Sequence, residues 1–233
     1  MGLGINPHYG TPLNPWDRAT GRITGGSSSG AAVSVADGMA LDGMDADVSR
    51  RFDATLTRLS AASVVVQEMP VPAFARLDSI NAKGDMVAAE GWAWHRSFIE
   101  LSGDRYDPLV RSRTMRGKDM SAADYIDVLQ ARTAWIAEVQ ALMVDHDTMV
   151  MHTVPVVAPK LAETAAAVDV YSATNLLVLR NPTLINFLDG CSISLPCHLP
   201  SEASVGLMLA ALHLHDRRLF AIGLAIETTL RNS

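Results

Sequence analysis

The sequence is short of several kinds of feature, and each shortage argues against a class of protein. No uninterrupted apolar run reaches the ~18 residues of a membrane-spanning helix. The first residues, MGLGINPHYG, show no basic region followed by an apolar one, so no secretory signal is expected. Lys and Arg number 19 against 25 Asp and Glu, and no basic block offsets this balance. Because such a chain has no general attraction to nucleic acid or anionic lipid, we expect a cytoplasmic protein with neither partner.

Cysteine is also scarce. Cys191 and Cys197 are the only two, which is too few for a disulfide framework, and we expect reduced, mostly buried thiols. His213 and His215, with His198 upstream, have no carboxylate at a spacing that completes a known metal site. We therefore expect surface or strand-end histidines, no metal and no cofactor.

What is present indicates one globular α/β domain over residues 1–233. Hydrophobic residues make up 48% of the chain, which is enough for one sizeable core. Helices are predicted from Asp45 or Asp47 onward, over 121–145 and over about 215–230. Residues 73–100 are predicted to be mostly helical, and 174–188 to be helix and loop. Short apolar runs predict strands over 63–66, 148–151, 191–195 and 205–209. Helix and strand in alternation are typical of a mixed sheet covered by helices.

Three finer expectations concern the helices. In the first helix Arg50, Arg51 and Arg58 fall on the side facing water. Its inward side is predicted to contain Val48, Phe52, Leu56 and Leu59. In the helix over 121–145, Ser121 is the predicted N-cap, and the inward residues are Ile126, Leu129, Trp135, Ile136 and Val139.

The segment GGSSSG at Gly25–Gly30 has two interpretations. It is either a flexible Gly/Ser linker or a loop feeding a helix of small residues, which begins at Ala31. In the second case its serines lie at a helix N-terminus, where free N–H groups favour an anion or a developing oxyanion. A phosphate-binding P-loop is excluded, since no Lys-Ser or Lys-Thr follows the glycines.

The surrounding residues favour the second interpretation, because they resemble the amidase signature family. NPHYGTPLNPWD at 6–17 followed by GGSSSG is similar to the stretch that enters the signature. The C-terminal half agrees in its TVP turn at 153–155 and in the segments Asn181-Pro-Thr183, Asn186, Gly190, Ser194-Leu-Pro196, Gly206-Leu-Met208 and Asp216 to Leu219. The resemblance covers nearly the whole chain and implies a partial amidase-signature fold.

The resemblance also implies a chemistry, which is amide hydrolysis by a Ser–cis-Ser–Lys triad. In that scheme a neutral lysine takes a proton through a bridging serine, and a second serine attacks the carbonyl carbon. Ser27 matches the bridging cis-Ser. Gly25, Gly26 and Ser28 match the loop around it.

The other two triad members have no match. The nucleophile should follow about two dozen residues later in a GTDTGGS-like turn, but that count falls on Arg51. Ser49 is nearby but lies on a predicted helix without the glycines. Lys83, Lys118 and Lys160 all follow Ser27 and are expected on the surface. The pattern indicates that residues before Met1 and a block near 40–41 are missing.

The sequence therefore predicts an amidase-family protein, related to hydrolases of carbon–nitrogen bonds, that is catalytically impaired. The alternatives are a non-catalytic binding protein, a chain that complements a separately encoded piece, or a poorly folded gene remnant. A small amide or carboxylate is the expected ligand, and a homodimer is possible. The segment 145–147 is expected to be a solvated turn. Pocket lining and ordinary core packing are both open for Met86, Trp92, Trp94, Met115 and Trp135.

Overall fold

The computed structural model describes residues 43–164 and 167–232. Their helices are α1 Ala46–Ala61, α2 Leu77–Ile80, α3 Met86–Ser102, α4 Pro108–Met115, α5 Ala122–Leu142, α6 Leu161–Thr164, α7 Val168–Leu188 and α8 Asp216–Asn232. The strands are β1 Met149–His152, β2 Cys191–Pro196 and β3 Gly206–Ala211. Within these ranges no helix is both long and apolar enough to cross a membrane.

The chain divides into two compact units. The sheet unit contains, of the described residues, 43–74 and 139–232, and the helical unit is Ala75–Glu138. The predicted single domain over 1–233, with a junction near 40–41, stays a prediction.

The sheet unit is built on β3, which lies between β1 and β2. Both pairs are antiparallel, with Met151 and Ser194 each opposite Met208. Leu207, Leu209 and Ala210 are 0% exposed, so β3 runs through the core. The predicted strands at 148–151, 191–195 and 205–209 are confirmed within about two residues, and so is the partial α/β fold. A mixed sheet, as predicted, also requires parallel strand pairs, and none is found among the described strands.

Helix α1 confirms the predicted helix start at Asp45, which occupies the N-cap in an extended conformation. Val48, Phe52, Thr55 and Leu59 are its buried residues, as expected for one face of a helix. The strand predicted at 63–66 is wrong. Ser63 has a φ of 66°, the Val64 N–H bonds the Leu59 carbonyl at 3.0 Å, and Val65 is 92% exposed. These β-branched residues form the exit from α1, and no strand in the described part of the chain pairs with them.

The helical unit confirms the predicted cap of α5. The Ser121 hydroxyl accepts from the Asp124 N–H at 3.1 Å, and the Ser121 N–H donates to the Asp124 carboxylate at 3.3 Å. Val128, Trp135 and Val139 are the deeply buried positions of α5. Ile126 was predicted to face inward, which is wrong, since it is 51% exposed. The buried face of α5 begins at Val128 instead. Periodicity identifies an apolar face but does not determine which side of the helix is buried.

Candidate functional site

The predicted catalytic loop, with Gly25, Gly26, Ser27 and Ser28, lies outside the described residues, as does the junction near 40–41. These residues keep the roles that the family resemblance implies, as predictions. The other chemistry-bearing residues named from the sequence are described, and several of them meet at one end of the sheet.

Thr153, Ser194 and Gly206 come from separate motif segments and are brought together where β1 ends. The hydroxyl groups of Thr153 and Ser194 are hydrogen-bonded to each other, and the Thr153 N–H donates to the Gly206 carbonyl at 2.8 Å. A Cβ on Gly206 would run into both hydroxyl oxygens and approach the Thr153 Cβ to 3.1 Å. Glycine at 206 is therefore required for this close approach of strand and turn.

His152 and Asn181 form a buried polar pair, and His152 directly precedes Thr153 in the chain. Both residues of the pair are 0% exposed. The Asn181 side-chain amide donates to the His152 carbonyl at 2.8 Å and lies 3.0 Å from its Nε2. The ring of Phe52 meets the imidazole edge to face, with centroids 5.8 Å apart. His152 thus joins α1, β1 and α7 in one contact cluster.

The His152 ring is held neutral by its surroundings. Burial, and then the nearby Arg180 charge, lower the pKa of His152 to about 4. When Nε2 accepts from Asn181, the ring proton sits on Nδ1, which has no hydrogen-bond partner among the described residues. A buried ring of this kind links α7 to β1 and is not poised to exchange protons near pH 7.

This pKa predicts an acid-sensitive fold. The unfolded chain takes up a proton on His152 below about pH 6.5, whereas the folded chain resists it down to about pH 4. Stability is therefore full above pH 6.5 and falls as the pH drops, by about 2 kcal/mol between pH 7 and 5 from this group. Urea unfolding of wild type and His152→Gln at both pH values measures it. The variant should lose that part of the pH dependence, while the exposed His213→Gln control keeps it. Equal pH slopes in all three proteins would refute the assignment.

The loop after β1 is fixed to the start of α1. The Asp45 N–H donates to the Pro155 carbonyl at 2.9 Å, and its carboxylate accepts from the Val157 N–H at 2.9 Å. Asp45 therefore caps the turn after the TVP segment with its side chain, which makes no capping bond to its own helix. The residues just after the predicted junction are thus joined to the motif end of the sheet.

Two further contacts hold α1 to the C-terminal part of the sheet unit. Arg51 pairs with Glu202, and Arg58 donates to the Leu230 carbonyl. Placing Arg51 on the water-facing side was wrong, because its side chain is only 20% exposed. A partner 151 positions further along the chain draws it in. Arg51 occupies the position at which the family's nucleophile was expected, and here it forms a structural ion pair.

The three lysines of the sequence all lie on the surface, as predicted. Lys83 is paired with Asp124, Lys118 lies over the Trp92 ring at 5.7 Å, and Lys160 is paired with Glu163 at 3.1 Å. The hydrogen bond and charge of Asp124 raise the pKa of Lys83, which favours its charged form. A triad base must be neutral.

Ser49 is also on the surface. Its hydroxyl lies 3.3 Å from Asp53, one turn further along α1. This is the ordinary contact of an exposed helix residue. Neither the lysines nor Ser49 are arranged as base and nucleophile.

Cysteines and histidines are structural in the described residues. Both thiols are free, and burial raises the pKa of Cys197 to about 11 and that of Cys191 above its ordinary value. His213 pairs with Asp189 at the surface, and His198 bonds the Val205 backbone. Among residues 43–164 and 167–232, no three His, Cys, Asp or Glu side chains are grouped to hold a metal ion.

The remaining predictions have mixed outcomes. Residues 145–147 form the solvated turn expected of them. Trp135 is core, at 1% exposed, whereas Trp94 is 79% exposed and is not part of the core. Sequence reasoning missed His152, although its place between a buried strand and the TVP turn is a signal that it faces inward.

The fold and the motif residues define an amidase-type α/β core, and the comparisons agree. The profile of the family described as Amidase matches residues 39–220, so the chain belongs to the amidase family. The structure of 6-aminohexanoate cyclic dimer hydrolase complexed with substrate superposes with a TM-score of 0.70 at 14% identity, over 97% of this chain and 50% of that one. A crystal structure of an amidase superposes with a TM-score of 0.66 at 19% identity, over 84% of this chain and 45% of that one. At such identities the structures show the fold alone.

Two curated relatives are also similar. The chain is 24% identical to 2-amino-5-chloromuconic acid deaminase of Comamonas testosteroni, over 98% of this chain and 69% of that protein. It is 26% identical to one of the subunits of the glutamyl-tRNA(Gln) amidotransferase of Streptomyces coelicolor, over 87% of this chain and 45% of that protein. The chain thus spans less than half of the amidotransferase relative. The deaminase match extends over 323 positions although this chain has 233 residues, so the relative contains a substantial stretch without a counterpart here.

Proposed function

We propose that this chain is an amidase-family protein, related to hydrolases of amide carbon–nitrogen bonds, whose own hydrolysis of amides is severely impaired. One observation carries the proposal. Of the three residues that the family chemistry needs, only the bridging serine has a match, at Ser27. We place the protein in the cytoplasm, with neither nucleic acid nor membrane as a partner.

The physical reason is that a serine hydroxyl near pH 7 is a poor nucleophile without a base. Exposed, ion-paired or ring-stacked lysines do not supply a neutral amine, and this supports the proposal. Loss of both base and nucleophile removes the covalent route. What remains is binding and any stabilisation of the oxyanion, which is typically a factor of about 10³–10⁴ over water in serine hydrolases.

The ligand class follows from the loop and from the relatives. If the GGSS segment forms a loop at a helix N-terminus, as the sequence predicts, it suits a carboxylate or an amide oxygen, since free N–H groups at such a terminus favour negative charge. The similar deaminase is named for a substrate that is an acid carrying an amino group, which fits this chemistry. We expect a small amide or carboxylate to bind at Gly25, Gly26, Ser27 and Ser28.

The test is hydrolysis of simple amides such as benzamide and malonamide. Wild type, Ser27→Ala and the Ser49→Ala control are compared with a blank without protein. All three should release ammonia at the same rate, near the blank. Robust hydrolysis that Ser27→Ala abolishes would contradict the proposal, and Lys83→Met, Lys118→Met and Lys160→Met would then identify the base.

A second candidate is a chain that completes its site with a separately encoded piece. The stretch of the deaminase without a counterpart here favours it, as does the name of the amidotransferase relative, which describes one part of a larger enzyme. A neighbouring reading frame that encodes a GTDTGGS-like turn and a preceding lysine should restore hydrolysis on co-expression. If co-expression does not restore hydrolysis and calorimetry shows that the chain binds a small carboxylate, the chain is a non-catalytic binding protein.

A further inference from the structure

We draw no further inference here: the strongest candidate, the half-buried arginine pair Arg111 and Arg113 on helix α4, leaves the helix on nearly opposite sides and so forms no single site, and nothing in the described residues shows what ligand the unpartnered Nε of the first or Nη2 of the second would hold.

Discussion

Gly117→Ala is expected to destabilise the helical unit by about 3 kcal/mol or more. Gly117 lies in the 3₁₀ turn Arg116–Asp119, which packs on α3. A Cβ there would overlap the Ala88 carbonyl group and lie 2.8 Å from the Ala89 Cα. These are backbone atoms of a helix, so they cannot move aside as a flexible side chain would. Relief requires that the turn separate from α3. Hydrogen exchange of the α3 amides should rise sharply in the variant.

Gly91→Ala is the matched control for this substitution. Gly91 is in α3 as well, but a Cβ there would meet only the Thr114 methyl group, at an ordinary 3.8 Å. Alanine is also favoured over glycine in a helix by up to about 1 kcal/mol. Gly91→Ala should therefore be neutral or stabilising. If both variants lose the same stability, the close approach at Gly117 is not the cause.

Phe52→Ala should cost the sheet unit about 4 kcal/mol, in the range for a fully buried aromatic residue. Phe52 is 2% exposed and meets the ring of His152 edge to face. The loss would remove the main apolar contact between α1 and the buried polar pair. Because whole domains are stable by only about 5–15 kcal/mol, much of the fold would be unfolded at moderate urea concentrations. Urea denaturation followed by circular dichroism measures the effect.

Phe220→Ala is the control for Phe52→Ala. Phe220 is 67% exposed on α8, so the same change in chemistry should alter stability by about 0.5 kcal/mol or less. A small effect at Phe52 would mean that α1 is only loosely attached. The segment after the predicted junction would then not be part of the core.

Local patterns predicted the elements that depend on local chemistry. Asp45 and Ser121 marked the starts of α1 and α5, and alternation in CSISLP predicted β2. The family resemblance also named residues that meet at one end of the sheet, among them Thr153 and Ser194.

What could not be predicted depends on distant partners. The burial of His152 depends on Asn181, which lies 29 positions away, and that of Arg51 depends on Glu202. The run at 63–66 has strand propensity but no partner among the described strands, so the chain leaves the helix there without forming a strand. Helix α7 begins at Val168, earlier than predicted, and continues through Pro182. The exposure of Trp94 could not be predicted either, because helical periodicity identifies an apolar face but not the residues that cover it.

The central claim is that no side chain of this chain acts as an activated serine nucleophile. Treating the native protein with a fluorophosphonate that reacts with such serines, followed by intact-mass measurement, tests it most directly. An unmodified mass of 25.0 kDa is expected. A stoichiometric adduct on the native protein, absent after denaturation or in Ser27→Ala, would contradict it.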